Sequence, residues 1–117
     1  MNRTVLSEEK VTPEALAYIA GYHQEVVNEV ARNVGENRVV VIGMAQNPFV
    51  KKVRCALKDA KVEFKYLEYG NYMSQWKQRL AIKLWSGWPT YPQVFVDGKL
   101  VGGFQDTKRL IESGKLK

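Results

Sequence analysis

The run VVVIGMAQNPFVKKVRCALKDAK, residues 39–61, decides the fold. Val39-Val40-Val41-Ile42 is continuously β-branched instead of alternating with polar residues, the signature of a strand buried on both faces. A Gly-containing junction follows, and Pro48 to Lys61 then reads as a helix whose apolar side is Val50, Val53, Leu57 and Ala60. Asn47-Pro48 starts it. Asparagine is among the best N-cap residues and proline is favoured at the first helical position, where its missing N–H would be unpaired anyway.

Working outward, Glu63 to Glu68 reads as a second strand and about Tyr72 to Trp85 as another helix. Val94-Phe95-Val96 and Leu100-Val101 flank Asp97-Gly98, a strong two-residue hairpin signal. Gly102-Gly103 leads into a last helix through Asp106, Leu110 and Ile111. Before the first strand, Thr12-Pro13-Glu14 is a helix-start signal. Apolar residues then recur at Leu16, Ile19, Ala20, Val27, Val30 and Val34, and Gly35 is suited to a left-handed stop. These predict one amphipathic helix with a single buried stripe. His23 lies on that stripe without a second ligand candidate around it, which favours packing over metal binding. The order α, then β-α-β-α-β-β-α, implies an α/β protein with a four-stranded mixed sheet and helices on both faces.

The 117 residues are 45% hydrophobic and 26% charged, ordinary for one soluble domain. No apolar run is long enough to span a bilayer, and Ser7, Glu8, Glu9 and Lys10 stand where a secretory signal would be apolar, so a cytoplasmic location is expected. One cysteine, Cys55, excludes an intrachain disulfide and a cysteine-based metal cage. The net charge of +6 is uneven. Residues 1–38 hold four Lys or Arg against six Asp or Glu, a balance of −2, and residues 39–117 hold fourteen against six, a balance of +8. A basic body suits an anionic ligand, or is a lysine-rich solvated surface. No nucleic-acid-binding motif appears.

The string SGWPTYPQVFVDGKLVGG, residues 86–103, resembles the corresponding stretch of glutaredoxins, especially the monothiol subgroup, in which Trp-Pro-Thr-Tyr-Pro-Gln recurs. The resemblance runs from about Val39 to Leu116 and includes a leading helix like that of monothiol members. It implies the thioredoxin fold, with residues 1–37 as a helical extension packed on a glutaredoxin-like domain of residues 38–117. In that family the turn after the first strand reads Cys-Pro-Tyr-Cys or Cys-Gly-Phe-Ser. Here it reads Asn47-Pro48-Phe49-Val50. The family's first cysteine is the nucleophile, activated as a thiolate at a helix N-terminus. Asn47 has no thiol, and Val50 removes a resolving one. The helix start is expected to keep exposed N–H groups and its positive dipole end, able to attract an anion.

Cys55 is a poor substitute. At 100° per residue the apolar stripe of its helix centres about 180° away from it, and it lies about 12 Å along the axis from Asn47.

The resemblance also implies a glutathione cradle. Pro92 matches the family's cis-proline, which presents the backbone of Tyr91 to the tripeptide. Arg79 and Lys83 match basic positions, the arginine facing the glycyl carboxylate. Gly103, Phe104, Gln105 and Asp106 fall where the γ-glutamyl end is held, Asp106 taking its ammonium. Met44 replaces a lysine common in the family. These residues either retain glutathione affinity or are relics that shape the fold. The iron–sulfur cluster of monothiol relatives needs thiolate ligands and is not expected here. Three functions follow: a redox-silent homologue binding glutathione or a glutathionylated protein without covalent chemistry, a protein-interaction module, or an active glutathione-dependent oxidoreductase.

Overall fold

A computed structural model describes residues 6–116. A 3₁₀ turn at Glu8–Lys10 precedes α1 (Pro13–Gly21) and α2 (Gln24–Glu36). The body follows as β1 (Val39–Gly43), α3 (Pro48–Asp59), β2 (Lys65–Glu68), α4 (Trp76–Ser86), β3 (Gln93–Val96), β4 (Lys99–Gly102) and α5 (Phe104–Glu112). The sheet order is β2-β1-β3-β4. β1 runs parallel to β2, with Val41 opposite Tyr66, and antiparallel to β3, with Val41 opposite Val94. β3 and β4 form the hairpin, and both Asp97 (φ 52°) and Gly98 (φ 79°) are left-handed, as a type I′ turn requires.

All five residues of β1 are buried. Its side chains alternate between two cores, as the period of a strand demands. Val40 and Ile42 pack with Val30 and Val34 of α2 and Ile82 of α4. Val39 and Val41 pack with Val53 and Leu57 of α3, against which Leu110 and Ile111 of α5 are partly buried. Each such side chain contributes about 1.5–3 kcal/mol when fully buried, which is why this strand can anchor both layers.

The leading arm differs from the single helix that its periodicity predicts. It breaks at Tyr22-His23, where Tyr22 is extended and His23 is left-handed at φ 45°. Gly21, Tyr22 and His23 are weak helix formers, so little propensity opposes the break. Only the second half meets the sheet: Val30 and Val34 are buried, and the Tyr69 hydroxyl donates to the Glu29 carboxylate, tying α2 to the body. No residue of α1 is buried. His23 is half-buried at the break, its ring edge-on to Tyr22 at 4.7 Å. Gly35 does not stop α2. The helix runs through it to Glu36, and Asn37 terminates it with its side-chain Nδ2 (2.9 Å) and backbone N–H (3.0 Å) both donating to the Asn33 carbonyl. Of the two ranges expected for extension and domain, residues 1–5 and 117 lie outside the described residues.

The expected helix from Tyr72 begins only at Trp76, because Asn71–Ser74 form a turn: the Asn71 side chain accepts from Met73 N–H (2.8 Å) and from the Ser74 hydroxyl (3.2 Å).

Gln93, fully buried on β3, fastens the 86–92 loop. Its Oε1 accepts from the Ser86 hydroxyl (2.7 Å), its Nε2 donates to the Trp88 carbonyl (3.0 Å), and Trp88 N–H donates back to Ser86 Oγ (3.1 Å). Replacing Gln93 by Leu leaves these partners unpaired and is expected to lower unfolding stability by about 1–3 kcal/mol, measured by chemical denaturation. An unchanged midpoint would show that the triangle holds nothing.

Candidate functional site

The C-terminal end of β1 delivers Asn47 to the start of α3. Its side-chain Oδ1 accepts from Phe49 N–H (2.9 Å) and Val50 N–H (3.1 Å), with Pro48 behind it as the sequence requires. This corrects one expectation: the N–H groups of Phe49 and Val50 at this helix start are taken by Asn47 itself and are not open to an external anion. Val50 is buried in the core. Gly43 makes room for it, since a Cβ there would lie 2.6 Å from Val50 Cγ1.

Asn47 and Phe49 form one wall of a groove of about 520 Å³. The opposite wall is the loop carrying Tyr91 and Pro92, and the peptide bond between these two is cis. The floor and end come from Gly103, Phe104, Gln105 and Asp106, with Lys83 at the side. Seven of the eight residues that the resemblance assigns to a glutathione cradle are therefore brought together.

Arg79 is the exception. It is buried and does not line the groove, and its guanidinium donates to the carbonyls of Tyr69 (3.0 Å) and Ser74. Arg79 lies on the same face of α4 as Lys83 but one turn nearer the helix start, where the carbonyls of the 69–75 loop take its guanidinium. It acts there as a bracket between the loop and α4.

The groove presents backbone polar groups and a lysine ammonium. Among the described residues neither the N–H nor the C=O of Tyr91 has a backbone partner, which leaves both for an added strand. Tyr91 itself is 7% exposed and its hydroxyl donates to the Arg79 carbonyl (2.6 Å). Burial pushes that hydroxyl above the usual tyrosine range, and it stays protonated. Lys83 Nζ stands 5.6 Å from the Tyr91 ring centre, a cation held at the groove.

At the far end, Gly103 has no side chain to cap α5, so the first N–H groups of that helix keep no intrahelical acceptor. The Asp106 carboxylate accepts from Gly103 N–H (3.1 Å) and lies 3.4 Å from Arg109. Gly102 is left-handed at φ 121°, and a Cβ there would press into that carboxylate, so only glycine lets Asp106 close the turn.

Residues that the sequence reading passed over also line the groove or flank it. Tyr72 and Thr90 line it, and the Lys52 ammonium lies 5.1 Å from the Phe49 ring and 6.0 Å from that of Phe104. The i,i+3 spacing of Phe49 and Lys52 on α3 could have flagged the lysine. Met44, buried at 6%, lines the groove with an apolar side chain where a lysine was looked for. Cys55 is exposed and is absent from the groove lining. No thiol faces the groove.

A four-stranded mixed sheet flanked by helices, with a proline loop opposite the first β-to-α turn, defines a protein of the thioredoxin fold. A glutaredoxin family model matches residues 39–101, and the chain belongs to the glutaredoxin family. It is 52% identical over 115 residues to a glutaredoxin-like protein of Dictyostelium discoideum, covering 98% of this chain and 92% of that one. Among solved structures, wheat glutaredoxin is similar at 29% identity with a TM-score of 0.69, covering 80% of this chain and 87% of that one. Oxidized glutaredoxin 2 of Chlamydomonas reinhardtii is similar at 28% identity and a TM-score of 0.68, with 80% and 88% covered.

Two outcomes follow for the isolated protein. Asn47→Ala removes the cap of α3 and is expected to lower stability by about 1 kcal/mol in a denaturant melt, with Asn47→Asp restoring it. Stability should also fall in alkali. Tyr66, on β2, is pushed up to about 12, first by desolvation and then by its hydrogen bond to Glu68. A pKa raised on folding contributes stability that is full below the unfolded value, near pH 10 for tyrosine, and lost as pH rises through the folded value. Melting temperatures are expected to hold to about pH 10 and decline toward pH 12, with Tyr66→Phe flattening part of the decline.

Proposed function

We propose that this protein is a redox-silent glutaredoxin that binds glutathione, or the glutathione moiety of a modified protein, without forming a bond to it. Glutaredoxins use glutathione as a substrate or cofactor. The observation that carries the reading is Asn47. It occupies the point where β1 feeds α3 at the groove wall, its amide cannot act as a nucleophile, and its oxygen spends the two N–H groups that would otherwise activate a thiolate. What remains is a cradle for a short peptide with two carboxylates. Lys83 supplies a cation for one, the uncapped start of α5 supplies donors for the other, and the Tyr91 backbone pairs with the tripeptide between them. With Arg79 spent on carbonyls, Lys83 carries the charge recognition that the resemblance divided between the two.

The donor set does not fit an iron–sulfur cluster, because Asn47 presents an amide where iron needs a thiolate and Cys55 is not at the groove. No helix among the described residues is long and apolar enough to cross a membrane. We place this binding activity in the cytoplasm.

Isothermal titration with reduced glutathione tests the reading. Saturable binding is expected, weakened by a factor of about 3 to 10 in Lys83→Gln, a loss moderated because the lysine is partly solvated. In a glutathione-coupled disulfide reduction assay the natural protein should show no turnover, and Asn47→Cys should gain some, since the introduced thiolate could attack the mixed disulfide and release the substrate thiol. Turnover by the natural protein that survives Cys55→Ser would overturn the silent reading. Absence of binding would overturn the cradle.

A further inference from the structure

A second cavity lies on the other side of the Asn47 corner. It encloses about 370 Å³ between the start of α3 and the outer strand β2, and its lining includes Gln46, Lys51, Arg54, Tyr66 and Glu68. Met44 and Asn47 line both this cavity and the groove, so the two meet at that corner. Lys51 and Arg54 do not line the groove.

Arg54 is arranged to receive an anion. Its guanidinium lies 3.9 Å from the centre of the Tyr66 ring, which fixes the plane of the donor fork. Tyr66 is steadied in turn by its hydroxyl, which donates to Glu68 (2.9 Å). Yet Arg54 Nε is buried and finds no acceptor among the described residues, and native proteins seldom leave such a donor without a partner. Lys51, exposed and three residues earlier on α3, adds a second cation to the same lining. Glu68 is the single acid in that lining, and the Tyr66 hydroxyl already engages it, so the cavity keeps a net positive charge. No Asp or Glu occurs from residue 37 to 58, which leaves the whole start of α3 basic.

The shared corner identifies the occupant. A glutathione paired with the Tyr91 backbone on one wall has its cysteine in the middle, and the opposite wall is Asn47. A polypeptide joined to that sulfur must leave the groove past residue 47, and the cavity beyond the corner is the one that Lys51 and Arg54 line. We propose that this cavity receives the residues next to the modified cysteine of a glutathionylated protein and selects an acidic side chain among them, whose carboxylate meets the Arg54 fork and the Lys51 ammonium. The disulfide stays intact throughout. This partner class rests on glutathione occupying the groove.

Titration with three synthetic peptides tests it, each carrying a glutathionylated cysteine flanked by two glutamates, two glutamines or two lysines. The glutamate peptide is expected to bind about fivefold tighter than the glutamine peptide, with the lysine peptide weakest and the differences shrinking as salt is added. Lys51→Gln and Arg54→Gln should each reduce the preference, and together abolish it, while affinity for free glutathione stays as in the natural protein. Lys51 is exposed and lies outside the Tyr66 stack, so its variant reports on the cavity even if Arg54→Gln loosens β2, which a thermal melt would show. Free glutathione bound with equal affinity for all three peptides would overturn the cavity alone, and a preference that survives both substitutions would overturn its assignment to Lys51 and Arg54. No binding of free glutathione or of any peptide would overturn the groove and this proposal with it.

Discussion

β1 is paired on both edges and buried on both faces, and the site is measured from its end. A strand with β2 on one side and β3 on the other cannot slip in register without moving every side chain to the wrong layer. Its two faces draw α2 and α4 to one side and α3 and α5 to the other. The turn that leaves its C-terminal end is thereby held opposite the hairpin's approach loop, and Asn47 faces Pro92 across a groove whose walls come from segments 45 residues apart in the chain.

The polar contacts around the groove divide into those that build it and those left for a ligand. Gln93 locks the 86–92 loop, Arg79 holds the 69–75 loop and receives the Tyr91 hydroxyl at its carbonyl, and Asp106 closes the Gly102-Gly103 turn. A buried arginine held by carbonyl oxygens is an expensive arrangement, offset here by the two hydrogen bonds that one of its guanidinium nitrogens donates. The backbone of Tyr91, the first turn of α5 and the Lys83 ammonium are the groups not consumed in this way. The proposed recognition without covalent exchange draws on this set, and Asn47 at the corner is a stabilising cap of α3.

Much of this was readable from the residues. The β-branched run at 39–42, the Asp-Gly hairpin and the Asn-Pro helix start are local signals whose physics needs no partner, and each stands in the structure as read. The helical arm misled because periodicity reports which side chains could share a face, while Gly21 and His23 let the chain break where only half of that face meets the sheet. Arg79 misled for a related reason. A basic residue in a helix near the groove can serve a ligand or the backbone, and only the position of the 69–75 loop chooses between them.

By itself the sequence determined the elements from β1 onward, their order, the family and the absence of sulfur at residue 47, because these depend on residue identity and short-range geometry. Tertiary structure alone decided that Lys83 and not Arg79 reaches the groove and that α1 lies unburied beside α4. These outcomes rest on distances between segments far apart in the chain, which packing of the two layers onto β1 sets.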